Sequence, residues 1–175
     1  WLTNPDNTVR NNAVADAQGH GFWLSYPAAP VKQGAKVPLR PNNLAHAPFE
    51  YNRSRANGHF GVALECAMTD DAGHTALIKY APTATGAAYD YNNGVRFGIR
   101  GLTIAKNRSG GYLNRTTMPD YLQFALAGNL QRSITGAVEA GTMKQGLIVA
   151  HSLNSRQPYP DQADPPLGIA SYHSQ

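Results

Sequence analysis

A chain of 175 residues is long enough to bury a substantial core, yet only 15% of it is charged, well under the roughly one quarter of ordinary soluble domains. The net charge of +4 and a pI near 9.3 suit an acidic partner such as an anionic polysaccharide. No Lys/Arg arm or RNA-binding aromatic motif points to nucleic acid, and no apolar run nears the ~20 residues needed for membrane insertion.

Cys66 is the only cysteine, so an internal disulfide is excluded, and a thiol beside an apolar strand-like run reads as a small buried hydrophobe. There is no CxxC or HExxH, so no metal and no cofactor is expected. Amphipathic helical runs are scarce, while Asn, Ser, Thr, Gly and Tyr suit strands and tight turns. The chain begins at Trp1 rather than Met and is expected to be a processed product or fragment of a longer protein.

In chain order, the first unit runs from Val9 through Asn12 and Gly21 to the short apolar strand Phe22-Trp23-Leu24. A Pro-rich stretch, 27–48, reads as an insertion. Forty residues after the first unit, Phe49, Asn52, Gly61 and Leu64 fall on Val9, Asn12, Gly21 and Leu24. A second insertion, 68–93, holds Asp70, Asp71 and His74, which fit a cation site and a plain turn alike. Asn107–Tyr112 then repeats Asn57–Val62 fifty residues on. The Leu126–Ile134 stretch follows at twenty-two, and Leu147–Asn154 sits twenty-five after Leu122–Asn129. From Gln157 the tail carries Pro158, Pro160, Pro165 and Pro166 and is expected to run extended along the outside.

Steps of twenty-two and twenty-five fit one turn of a solenoid; forty and fifty fit two turns, or one turn plus an insertion. Alternating residues send every second side chain into a narrow core. Asn tolerates the left-handed backbone of a corner and can stack in a hydrogen-bonded ladder, and Gly supplies a further corner. One rung cannot bury its own apolar face, so several must stack. The Asn-Gly hairpin turns of a β-sandwich are missing. The expected fold is therefore all-β: a right-handed parallel β-helix over 1–175, a single domain on whose ends further rungs or subunits can stack. Val9, Val14, Leu24, Phe49, Val62, Leu64, Leu102, Ile104, Leu126, Ile134 and Val149 share the inward phase. Asn12, Asn52, Asn107 and Asn129 are expected to form the ladder.

The opening Trp1-Leu2-Thr3-Asn4-Pro5-Asp6-Asn7-Thr8, followed by Asn11-Asn12-Ala13 and Gly19-His20-Gly21-Phe22-Trp23-Leu24, resembles a known region. It is the β-helix shared by the group of the cell-migration-inducing hyaluronan-binding protein, the transmembrane hyaluronidase and fibrocystin, and by similar bacterial secreted proteins. The match is good over 1–64, loose over 96–154, and lacks the group's preceding glycine-rich domain. The resemblance implies the fold and a secreted or extracellular setting, and places no catalytic residue.

Glycan chemistry on such a fold needs paired carboxylates for hydrolysis, or a base and a cation for elimination. The densest ionisable group built from the spacing is His20, His59, Asp16, Arg53 and Arg55, with the histidines one repeat position apart. Corner histidines bonded to backbone are the plainer alternative. Arg53, Arg55, Lys106, Arg108 and Arg132 flank the corner asparagines and are expected to form a basic track. Tyr89, Tyr91 and Trp23 suit stacking on sugar rings or buried packing. Asn52-Arg53-Ser54, Asn107-Arg108-Ser109 and Asn114-Arg115-Thr116 have the form of glycosylation sequons. The expected function is an extracellular carbohydrate-binding module for an acidic polysaccharide such as a glycosaminoglycan. A polysaccharide hydrolase or lyase is the first alternative, and a building block of an extracellular assembly the second.

Overall fold

The computed structural model describes residues 1–30, 34–69, 75–149 and 167–171. Three short strands make each turn. The first turn is β1 (Val9–Arg10), β2 (Ala13–Ala15) and β3 (Phe22–Leu24). The second is β4 (Phe49–Glu50), β5 (Arg53–Arg55) and β6 (Phe60–Leu64). A hairpin of β7 (Cys66–Thr69) and β8 (Thr75–Ile78) follows. The third turn is β9 (Phe97–Arg100), β10 (Thr103–Ala105) and β11 (Gly110–Thr117), and the fourth β12 (Pro119–Leu122), β13 (Ala125–Ala127) and β14 (Arg132–Glu139). The fifth is β15 (Thr142–Lys144), β16 (Leu147–Val149) and β17 (Leu167–Ser171). Like strands of successive turns pair in parallel into three five-stranded sheets, so the fold is a parallel β-helix.

The register settles the spacing. Val9 pairs with Phe49 and Leu24 with Leu64 at forty, and Val62 pairs with Tyr112 at fifty. Both steps are one turn plus an insertion, since strands so offset are direct neighbours. The step from the fourth turn to the fifth is twenty-two, not twenty-five: Leu126 pairs with Ile148. Ile148 therefore packs against the core, and Val149 opposes Ala127 instead. The asparagine at 154 invited the longer step. The tail also departs from expectation, because Leu167–Ser171 joins the third sheet beside β14; the rest of the stretch from Gln157 lies outside the described residues, as do Asp70, Asp71 and His74.

Inside, the apolar columns stack as the alternation demands. Phe49, Val62, Leu64, Leu102, Ile104, Leu126 and Ile134 are buried, with Val9 and Val14 partly buried at the first turn. Each such side chain is worth ~1.5–3 kcal/mol of burial.

In the first four turns the corners on either side of the second sheet are built the same way. A residue in the left-handed region leads into an inward-turned one: Asn11 before Asn12, Tyr51 before Asn52, Ala56 before Asn57, Lys106 before Asn107. The left-handed position is thus filled by the residue ahead of the asparagine, at a cost of ~1–2 kcal/mol for a side chain other than glycine. The expected single ladder is two columns. At the corner between the first and second sheets, the Asn12 main-chain N–H and side-chain amide donate to Asn52 Oδ1 at 3.1 and 3.3 Å. At the next corner, Asn57 donates in the same two ways to Asn107 Oδ1 at 3.0 and 2.7 Å, and Asn107 to Asn129 Oδ1 at 3.1 and 2.9 Å. Asn57, aligned with Asn107 in the repeat but not among the expected ladder members, is the first asparagine of the longer column, and its Oδ1 accepts the Ala17 main-chain N–H at 3.1 Å.

That ladder dictates the glycines across from it. A Cβ on Gly61 would stand 2.8 Å from the Asn107 amide nitrogen, and one on Gly111 2.9 Å from that of Asn129. Ser54 completes the packing, accepting from Asn57 Nδ2 at 2.9 Å and donating to Gly61 O at 2.7 Å. All three sequon asparagines, Asn52, Asn107 and Asn114, are fully buried, which leaves no room for a glycan on the folded chain.

Both insertions leave from the corner between the third sheet and the next turn. They are welded to the rungs by an aromatic layer: Tyr26 and His46 from the first, Tyr80 from the second, and Phe97 of β9. Ring centroids lie 4.9 Å apart for Tyr26–Tyr80, 5.1 Å for Tyr80–Phe97 and 5.3 Å for His46–Phe97. The His46 Nδ1–H faces the Ala47 carbonyl, so Nε2 accepts from the Tyr26 hydroxyl at 3.0 Å. Burial holds its pKa below the ordinary value, against the Ala47 carbonyl, which favours the charged form.

Two expectations follow. Asn107→Ala removes the acceptor of two buried donors and should lower the urea-derived unfolding free energy by ~1–3 kcal/mol, whereas Asn12→Ala, at the exposed end of its column, should cost less; equal losses at both would contradict the ladder. His46 binds a proton less readily folded than unfolded. Its contribution to stability is therefore complete above ~6.5 and is lost as pH falls below that value. The melting temperature should drop on acidification across that range, and His46→Phe should flatten the dependence.

Candidate functional site

The start of the third sheet carries a row of rings along its outer edge. Trp1, 80% exposed, stacks on Trp23, 37% exposed, with centroids 5.4 Å apart and planes 20° off parallel. Trp23 can face outward because β3 alternates, burying Phe22 and Leu24 on either side. Its indole N–H donates to the Glu65 carbonyl at 2.9 Å, which fixes the ring.

His20 continues the row, 5.6 Å from Trp23, 5.4 Å from His59 in an edge-to-face arrangement, and 5.9 Å from Phe60 in a stacked one. The spacing thus brings the two histidines together, one turn apart. The Phe60 main-chain N–H points at His20 Nδ1 at 3.4 Å. Burial and then the His59 charge push the His20 pKa down, opposed by Glu65. Phe60 lies over Gly110, where a Cβ would meet its ring at 2.7 Å, and Gly110 pairs with Arg132 of the fourth turn. The ledge therefore runs along the helix axis to the register position of Arg132.

The basic residues do not stack into one row. Arg53 and Arg55 project from β5 between small neighbours: Ala13 and Thr103 flank the first, Ala15 and Ala105 the second. Lys106 takes the left-handed corner position and Arg108 the turn beyond, its main-chain N–H bonded to Asn57 O. Arg132 begins β14 with Nη1 3.4 Å from Thr135 Oγ1. The five occupy five register positions, wrapping from the second sheet around its corner to the third. Sequence proximity to the asparagines brought them to one corner and could not fix their columns.

Four of the described carboxylates are held in ion pairs. Glu50 meets Arg10 at 3.0 Å, Glu65 meets Arg115, and Asp120 meets Arg96. Glu139 accepts from Lys79 at 2.5 Å and from the Tyr89 hydroxyl at 2.9 Å. The Arg96 hydrogen bond holds Asp120 below the usual carboxylate range, and Lys79 does so for Glu139. Desolvation and that Glu139 contact push the Tyr89 phenol up to about 12. Tyr89 is tied to the end of β14, with Tyr91 exposed nearby in sequence, while Trp23 sits on the first turn with Trp1. Among the described residues, no three His, Cys, Asp or Glu side chains gather to hold a metal ion. Of the two ledge rings that sequence reasoning missed, Phe60 had a legible signal, since it directly follows His59 in the repeat, and Trp1 had none, since it precedes the repeat.

The stacked rungs define a parallel β-helix module. Within it, residues 1–62 match the family described as CEMIP beta-helix, a span that covers the first turn, its insertion and the second turn into β6. No curated protein matches the chain.

The ring cluster gives a direct test. In a proton NMR titration the His20 midpoint should lie below ~6.5, and His59→Gln, by removing a neighbouring positive charge, should raise it. A midpoint unmoved by His59→Gln would mean the two rings do not meet in solution.

Proposed function

We propose that this β-helix module binds an acidic polysaccharide, of the glycosaminoglycan kind, in an extracellular setting. The observation that carries the reading is the exposed ledge Trp1–Trp23–His20–His59, with Arg53, Arg55, Lys106 and Arg108 around the adjoining corner. Aromatic faces carry negative charge density and offer an apolar surface to the C–H side of a sugar ring. The cations supply a field for carboxylates or sulfates along the polymer. Rungs ~4.8 Å apart let a chain lying along the axis meet several of them at once. The net charge of +4 favours the same class of ligand.

Binding is favoured over cleavage by the state of four of the described carboxylates. Glu50, Glu65, Asp120 and Glu139 each hold a cation, whereas a glycosidase needs two carboxyl groups facing one another across the scissile bond.

The test is calorimetric titration with hyaluronan or heparin oligosaccharides across a salt series, with a neutral glucan as control. Exposed charges act over ~8 Å at physiological salt, so affinity should fall steeply as salt rises. Arg53→Glu with Arg108→Glu should weaken it further, and Trp1→Ala, at a largely exposed side chain, should weaken it at every salt concentration. Equal binding to neutral and acidic glycans, or none to either, would remove the reading. Steady release of reducing ends would make the module an enzyme.

A further inference from the structure

We propose a second site, beside the glycan ledge and sharing Trp1 with it: a cavity that takes the hydrocarbon chain of an anionic amphiphile such as a fatty acid. The cavity has a volume of about 480 Å³ and lies between the first insertion and the β7–β8 hairpin. That size falls within the ~300–1,000 Å³ of small-molecule sites, which are mostly apolar with a few polar groups. Pro27, Val37, Leu39 and Pro41 form one wall, Cys66 and Met68 of β7 the other, and Trp1 stands at the rim. Thr3 and Ser25 are among its few polar positions.

Apolar exposure concentrates here. Val37 and Leu39 are 46% and 45% exposed, and Trp1 with Trp23 add the stacked rings beside them. Such side chains on a protein surface are ordinary when scattered and informative when they gather in a concavity. The charge pattern selects the head group. In Lys36-Val37-Pro38-Leu39-Arg40 the two apolar residues line the cavity, and the exposed Lys36 and Arg40 flank them in sequence. With an alkyl chain inside, these two cations are the nearest in sequence to the lining residues and would favour an anionic head. A neutral head group gains nothing from them.

The chain supplies its own reporter, since Trp1 and Trp23 are its only tryptophans. Titration of the full chain with decanoate below micelle-forming concentrations should change tryptophan emission saturably. From hexanoate to octanoate to decanoate the affinity should rise about fourfold per methylene, the gain that burying a methylene in an apolar site provides. Leu39→Asp, on an exposed loop, should weaken decanoate at least about tenfold with the melting curve unchanged; Ala67→Arg, which fills the cavity from β7, is the second variant should the first prove unstable. Lys36→Glu with Arg40→Glu should weaken decanoate and leave octyl glucoside unaffected. A response that does not saturate or does not depend on chain length overturns the site, as does one unchanged in both cavity variants. Equal weakening of decanoate and octyl glucoside overturns the anionic head group. Glycan affinity is read separately by calorimetry, so either site can fail without the other.

Discussion

The asparagine column at the corner between the second and third sheets is the contact on which the other features of the solenoid rest. One carboxamide oxygen receives both the main-chain N–H and the side-chain amide of the asparagine a turn earlier. A buried donor without a partner costs ~1–3 kcal/mol, so a turn that slips by a residue loses two bonds and gains two unsatisfied groups. This requirement fixes the register, and the register puts every apolar column over the next. It also explains why Ala56 and Lys106 accept a left-handed backbone: the bonds at the following residue offset that strain. Opposite the column only glycine fits, because the amides occupy the space a Cβ would take.

The same logic shows why part of the fold could be read in the sequence and part could not. Steps of forty, fifty and twenty-two were legible because each carries an Asn and a Gly that geometry forbids replacing freely. The last step was misread because position 151, where the next asparagine would fall, is a histidine, and Asn154 offered a false match three residues on. The left-handed positions were assigned one residue late, since asparagine is the usual occupant of that backbone region but is needed here for its side chain. The layer of Tyr26, His46, Tyr80 and Phe97 was invisible because three of its four members lie in insertions with no repeat to align.

At the site, the pairing of His20 with His59 followed from the forty-residue step, and the ring row followed from it only in part. Trp23 was visible as an outward residue of an alternating strand, whereas its stacking on Trp1 depends on how the first residues return along β3, where Leu2 bridges to Leu24. The basic residues illustrate the opposite case. All five lie near corner asparagines in sequence, but a β-helix separates neighbours in sequence by face and joins residues a whole turn apart. Arg53 and Arg55 share a face of one strand, while Arg132 belongs to the ring row through Gly110.

The joint between the third sheet and the following turn changes length freely. It holds a long insertion after β3 and another after β6, yet shrinks to Met118 between β11 and β12 and to Ala140-Gly141 between β14 and β15. Register is set by the asparagine corners on the other side, so nothing in the rung measures how far the chain travels at this joint. Such a position is a natural port for protein engineering: a foreign peptide grafted in place of Met118 would be displayed on a rigid column at a chosen height, and successive grafts would stand one strand spacing apart. The same freedom lets evolution diversify the decoration of the solenoid while leaving its frame unaltered.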